Sequence, residues 1–407
     1  MTGLKIAFVT AEDPWLAHTG YFVLTQQLIS ILGRNHRLSL IILNGPAPRM
    51  TGLDIHVLND HDMRGKRVHQ ALSVFSRQSA VVQQSRETDY RSALTACLEG
   101  IDPDIVLFNH LRSAWLLPEV RLPRARTIYL AHNAEGATAH SVAEMQNFVL
   151  TRLLMRQEAR KVEELERQIV RTADRVIALT QEDAERMRAL DAAARTVVIP
   201  PAVALRAYEP GATSNEVLLL GSFRWLPKRM NAIWLAQEVL PRVRQQCPDA
   251  MLRIVGTEAH RLVGALQRCA GVEVHANVPS VREFYARCAV FVVPEHQAGG
   301  IKLKTLEAAS FGKAIATTRA GCEGTGLQDG RSCLVADDAD DLAQNIVAFL
   351  QDPSLRQRFG MNARDHVNEH FSGGAVEHAY ETLLQQFVFG DGIRFIAHAP
   401  AAVLAEN

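Results

Sequence analysis

Lys302 and Lys304 follow Gly299–Gly300 in the stretch PEHQAGGIKLKTLEAASFG (294–312), and Glu307 comes three residues later. Glycines let backbone approach a ligand closely, and a helix opening near Ile301 would offer unpaired N–H groups to an anion. With lysines beside that helix start, the stretch reads as a phosphate or diphosphate site. The other reading is an ordinary loop whose lysines are solvated. Leu303, Leu306 and Phe311 mark an apolar helical stripe, and Glu307 falls inside it. A carboxylate there is costly unless something hydrogen-bonds it. Lys304, one turn earlier, is one such partner, and a ligand is another.

GSFRWLPKRMN (221–231) repeats the arrangement: Gly221 supplies a tight turn, and Arg224, Lys228 and Arg229 gather positive charge before a helix. Two basic loops on one sheet would serve a diphosphate better than either alone. The alternative is a solvated loop anchored by Trp225. LAHNAEGATAH (130–140) sets His132, Asn133 and Glu135 after a strand, where a loop histidine is either catalytic or merely hydrogen-bonded. The acidic run DDADD (337–341) suits a helix N-terminus better than a metal site. QALSVFSRQSAVVQQ (70–84), with Arg64, Lys66, Arg67 and Arg77 around it, reads as a basic amphipathic surface helix or a contact with anionic lipid or a charged acceptor.

Positioning these loops requires strands. Apolar, β-branched runs alternate with longer amphipathic ones, as in parallel α/β structure. In the first half the strands are expected at 5–10, 37–43, 54–58, 104–108, 126–131, 175–179 and 196–200, with a long charged helix over roughly Glu144 to Thr172. In the second half they are expected at 216–220, 250–255, 272–275, 289–293, 313–318 and 332–336, with helices such as Asn231–Gln246 and Val281–Arg287. The linker is PPAVALRAYEPGATSN (200–215), rich in Pro, Gly and small residues. After Asp337 the chain is expected to be helical almost to Phe389, broken at Asp352–Pro353 and at Ser372–Gly373–Gly374. The fold class is therefore α/β, with two Rossmann-like doubly wound domains: 1–205, and 206–374, with a C-terminal helix about 375–407 crossing back. Such sheets bind ligands beyond the carboxyl ends of their strands, and two facing sheets would make a cleft.

The 407 residues exceed one ordinary core. Lysine plus arginine and aspartate plus glutamate number 44 each, which argues against a nucleic-acid partner. No apolar run suits a bilayer span or a secretory leader, so a cytoplasmic protein with reduced cysteines is expected. The first strand leads into TAEDPWLAHTGYF, without the G-x-G-x-x-G of a dinucleotide fold.

Several of these segments, in order, resemble the family 4 glycosyltransferases, retaining enzymes of the GT-B fold. GGIKLKTLEAASFGKAIATTRAGCEG, then DGRSCLVADDADDLAQNIVAFLQDPSLRQRFGMNAR, is similar to that family's donor-binding region. LLLGSFRWLPKRMNAIWLAQEVLPRVRQQCPDAMLRIVG looks like the start of its C-terminal domain, and AHNAE with TADRVIALTQEDAERM like the end of its acceptor domain. The resemblance implies that Glu307 accepts the donor ribose hydroxyls, and that Gly299, Gly300 and Ile301 with Lys302 or Lys304 hold the diphosphate. Arg224 would act with Lys228 or Arg229. His132 would lie near the transferred sugar, with Asn133, Glu135 and the first loop's Thr19–Gly20 on the acceptor side. Gly299 stands where the family's segment usually carries a further glutamate, eight positions before the last. The partners implied are a UDP- or GDP-linked sugar as co-substrate, with no other cofactor and no metal, and a glycan or lipid-linked acceptor in polysaccharide or glycoconjugate assembly. Peripheral membrane contact of the N-terminal domain is left open. A nucleotide-sugar epimerase of the same fold and a non-catalytic partner subunit are the rival readings.

Overall fold

The computed structural model describes residues 3–16, 20–48, 52–59, 76, 78–83, 89–120, 122, 124–146, 148–207, 214–297 and 299–389. Most of the basic stretch at 64–84, Thr19, and the chain beyond 389 lie outside the described residues. The chain divides into two units, Met1–Ala202 with the stretch from Val376, and Val203–Ala375.

The first unit holds β1 (Lys5–Glu12), β2 (Arg37–Asn44), β3 (Asp54–Val57), β4 (Ile105–Asn109), β5 (Arg126–Ala131), β6 (Arg175–Ala178) and β7 (Thr196–Val198), in the spatial order β3-β2-β1-β4-β5-β6-β7. Each neighbouring pair is parallel. Central strands of such a sheet are covered on both faces, and accordingly Ile105, Val106, Leu107 and Phe108 of β4 are all fully buried. Sequence order reverses direction between β1 and β4, so a crevice opens beyond their carboxyl ends.

The second unit repeats the plan with β8 (Glu216–Ser222), β9 (Met251–Thr257), β10 (Val272–Ala276), β11 (Val290–Val293), β12 (Ala314–Thr317) and β13 (Leu334–Val335), ordered β10-β9-β8-β11-β12-β13. All its pairs are parallel, and its switch point lies between β8 and β11.

Helices fill the connections. The expected long charged helix starts later than the sequence suggested, running Val149–Thr172, while Glu135–Glu144 forms a separate helix. The two pack so closely that a Cβ on Gly136 would lie 2.9 Å from Glu163 Cα. At the acidic run, Asp338 caps the Ala339–Gln351 helix by accepting from Asp341 N at 2.8 Å. The break at Asp352 is also a cap, its carboxylate accepting from Ser354 N and Leu355 N at 2.9 Å each. The last helix, Gly373–Phe389, buries Val376, Tyr380, Leu383, Leu384 and Phe387. Within the first unit it is tied by Arg34–Glu377 at 2.7 Å, His36–Glu381 at 3.0 Å, and the Phe387 ring under Arg175 at 5.0 Å. Among the described residues, no helix is long and apolar enough to cross a membrane.

Candidate active site

In the second unit the loops after β8 and β11 carry the basic residues. Phe223, 1% exposed, anchors the first loop; Trp225, the anchor in the alternative reading, is 44% exposed. Arg229 donates to the carbonyls of Phe223 and Arg224 at 3.0 Å each, so it holds the loop's own backbone. Arg224 is largely exposed and reaches Glu258 at 2.9 Å. Lys228 instead crosses to the loop after β11, where it pairs with the buried carboxylate of Glu295. Glu295 also accepts from Asn231 Nδ2 at 3.1 Å. Nothing in the sequence spacing singled out Glu295, because its partner is 67 residues away.

The glycine pair does what its residue type suggests. Gly299 has φ 117° and Gly300 φ 65°, both outside the range comfortable for other residues. The curled loop is held from both sides: Lys302 Nζ donates to Gly299 O at 2.6 Å, and Gly299 N donates to Glu323 Oε2 at 2.6 Å. The following helix is Leu303–Ser310, two residues later than expected, with Lys302 as its N-cap position and Ile301 just before. Thr305 Oγ1 fastens it to Gly321 O at 2.8 Å. Glu307 is half-buried and pairs with Lys304 at 2.5 Å. Beneath it, burial and the nearby Glu307 carboxylate push the Tyr285 phenol well above its ordinary range.

In the first unit the loops after β1, β4 and β5 meet. His132 is buried, and its Nε2 lies 2.7 Å from Asn109 Oδ1 at the end of β4. Burial, and then the neighbouring His110, hold its pKa well below 6.5, so the ring is neutral near pH 7. The His132, His110 and Tyr21 rings are mutually 5.2–5.3 Å apart. His110 Nε2 contacts Glu135 Oε1 at 3.1 Å, and Asn133 Nδ2 donates to the same oxygen at 3.2 Å. Burial pushes the Glu135 carboxyl up, but the hydrogen bond and charge of His110, with Asn133 and Arg112, bring it below its ordinary value. Arg112 itself pairs with Glu12 at the end of β1. His110 has φ 70°, ψ 153°, a strained backbone for a residue with a side chain, and such strain gathers at functional sites. Gly20 opens the Gly20–Asn35 helix, whose next residue is Tyr21.

Sequence reading missed Asn109 and His110. The signal was available: NH follows the apolar strand DIVLF as HN follows RTIYLA. A cavity of about 330 Å3 in the same unit, lined by residues including Trp115, Lys161 and Gln168, contains none of these loop residues.

Glu166, on the Val149–Thr172 helix, caps the helix that follows the His132 loop. Its carboxyl accepts from Glu135 N at 2.9 Å and Gly136 N at 3.0 Å. Burial outweighs those two donors and raises its pKa from 4.5 to about 8. The folded state therefore holds the proton more tightly than the unfolded chain, and this group's contribution to stability is greatest below about pH 4.5 and declines towards pH 8. Glu166→Gln should flatten that decline while costing some stability at low pH, because an amide can accept only one of the two N–H groups. Urea melts at pH 5.5 and 8 check this; an unchanged pH slope would remove Glu166 as its source.

The description "Glycosyl transferases group 1" matches residues 214–352, and "Glycosyl transferase 4-like domain" matches residues 15–202. A D-inositol 3-phosphate glycosyltransferase of Nocardiopsis dassonvillei is 27% identical over 237 residues, 50% of this chain and 53% of that protein. An uncharacterized 44.6 kDa protein in the cps region of Klebsiella pneumoniae is 25% identical over 170 residues, 40% of this chain and 44% of that one. The chain spans about half the length of the curated relatives it matches. Among solved structures, sucrose-phosphate synthase from Thermosynechococcus elongatus superposes with a TM-score of 0.71 at 19% identity, covering 95% of this chain and 99% of that one. HepE of Anabaena, solved with UDP and glucose, gives 0.64 at 15% identity, covering 94% and 99%. Two wound parallel sheets with polar loops at their strand ends define a GT-B protein. The chain belongs to the glycosyltransferases of that fold.

Proposed function

We propose that the protein is a retaining glycosyltransferase that moves a sugar from a UDP- or GDP-linked donor to a glycan or lipid-linked acceptor, in polysaccharide or glycoconjugate assembly. The observation that carries it is the convergence of Lys228 and Lys302 on the loop after β11, next to a helix start, with the half-buried Glu307 one turn further along. Cations and helix N–H groups of this kind offset a diphosphate's charge without a metal. Lys228 would be shared between Glu295 and the donor. Glu307 would exchange Lys304 for the two ribose hydroxyls. Retention follows front-face substitution, in which the leaving phosphate oxygen takes the acceptor's proton. The relatives' names, a D-inositol 3-phosphate glycosyltransferase and a cps-region protein, and the UDP and glucose bound by HepE, support this substrate class.

A thermal-shift series over UDP- and GDP-sugars tests the reading. At least one donor should raise the melting temperature, and Glu307→Ala should weaken its binding by roughly 10–100-fold, the loss of hydrogen bonds to a charged group. The ligand-free melting temperature should stay close to wild type, because the Lys304–Glu307 pair is partly exposed. No shift with any donor sinks the proposal, unchanged affinity removes Glu307 from the site, and a new nucleotide-sugar stereoisomer formed without acceptor points to an epimerase.

A further inference from the structure

His132 is held by a hydrogen-bond chain whose donors and acceptors can be assigned without seeing a hydrogen. Thr25 Oγ1 lies 2.8 Å from the backbone carbonyl of Tyr21, which can only accept, so the Thr25 hydroxyl spends its single proton there. Towards Asn109, at 2.9 Å, Thr25 Oγ1 must then accept, and the amide atom facing it must be Nδ2. The second Nδ2 proton points to Thr10 Oγ1 and Tyr21 OH, at 3.4 and 3.5 Å. This orients Asn109 Oδ1 towards His132 Nε2 at 2.7 Å, and since Oδ1 is an acceptor, Nε2 carries the proton. Asn109 is fully buried, its backbone carbonyl accepts from Ser113 Oγ at 2.8 Å and the next residue is the strained His110, so its main chain is held while the Thr25 acceptor sets which way the amide faces.

We propose that Asn109 and Thr25 are positioning residues that fix His132 as the neutral Nε2–H tautomer, so that it meets its substrate through the Nδ1 lone pair. The ligand group this recognises is an O–H donor, a hydroxyl of the transferred sugar or of the acceptor; that assignment rests on the function proposed above. Burial and the neighbouring His110 oppose a second proton on the ring. Of the other groups nearby, Glu135 is paired with His110, burial raises the pKa of the Tyr21 phenol so that it stays uncharged, and Arg112, 6.0 Å from the Tyr21 ring, has its charge met by Glu12. His132 therefore acts as an oriented acceptor and not as a cation.

The test is NMR of the full chain labelled with 15N in the histidine rings, His132 being assigned by the signal lost in His132→Gln. At pH 7 the wild type should show one pyrrole-type nitrogen, Nε2, and one pyridine-type nitrogen, Nδ1. Thr25→Ser keeps the chain and should keep the pattern. Thr25→Val, almost the same shape without the acceptor, should let the amide turn and mix the tautomers, as should Asn109→Leu if it folds. Asn109→Asp places a carboxylate against Nε2 and should raise the titration midpoint of His132 by about 1–3 pH units. An Nδ1–H ring or an imidazolium in the wild type at pH 7 overturns the proposal. So does a pattern unchanged in Thr25→Val. None of these readouts requires turnover, so failure of sugar transfer itself would appear separately, as a donor screen without a binder.

Discussion

Gly256→Ala is expected to abolish the native packing of the second unit. Gly256 lies at the carboxyl end of β9, in register with Gly221 of β8. A Cβ there would sit 1.8 Å from Gly221 O and 2.9 Å from Gly221 C, and the backbone has φ +151°. Both obstacles are main chain of a central strand, so no side chain can rotate away. Relief would require separating β8 from β9 just before the loop that carries Arg224 and Lys228. Overpacking combined with a conformation foreign to L-residues belongs with the largest single-substitution effects, above about 4 kcal/mol. Gly264→Ala is the control: nothing lies within 4 Å of its Cβ position, and it should be neutral within about 0.5 kcal/mol. Urea unfolding of the full chain, following the transition of the second unit, reads both. A Gly256→Ala protein within about 1 kcal/mol of wild type would mean that the strands are not this close.

The same closeness shows which features the sequence carried and which it hid. The thirteen strands among the described residues all fall on runs legible in the sequence; in the central strands burial on both faces imposes such runs, and KIAFVT, DIVLF and AVFVV each overlap a strand. Helix ends were less legible. The sequence places the start of a long helix near Glu144, but Glu135–Glu144 forms a helix of its own, capped from a distance by Glu166, 30 residues downstream of Gly136. Long-range pairings leave no periodic trace. Lys228 and Arg229 are adjacent cations in the sequence, and only the fold sends one to Glu295 and turns the other back onto its own loop.

Gly299 illustrates how sequence and structure inform each other. The resemblance marks the position as one that usually carries a glutamate. Here the loop passes it with φ 117°, a conformation that a glutamate would adopt only under strain. The position without a side chain lies in a loop closed by Lys302 on Gly299 O and Glu323 on Gly299 N. A buried carboxylate does stand near the second unit's cations, but it is Glu295, supplied at the strand end and already shared with Lys228 and Asn231. Restoring a glutamate at 299 would therefore strain the loop without recreating the family arrangement.

His132→Ala is expected to lower kcat by about 10²–10³-fold with little change in donor affinity. That is the scale of removing one preorganised hydrogen-bonding group from a reacting centre. Donor affinity should hold because the diphosphate and ribose contacts proposed above come from Lys228, Lys302 and Glu307, all in the second unit. Stability should suffer modestly, since Asn109 Oδ1 loses its 2.7 Å partner inside a buried network. His132→Gln separates the two ways in which a histidine could act. A glutamine amide can donate to Asn109 through Nε2 and accept through Oε1, so a neutral acceptor role predicts partial recovery, whereas a cationic role predicts none. The pH profile gives an independent reading. With the imidazole held well below 6.5 by burial and His110, wild-type turnover should show no inflection from His132 near neutrality, and its loss should come only in acid. Rates measured with the donor found in the thermal-shift series decide the matter. Wild-type turnover in His132→Ala would take His132 out of the chemistry, and a glutamine variant as slow as alanine would refute the acceptor role.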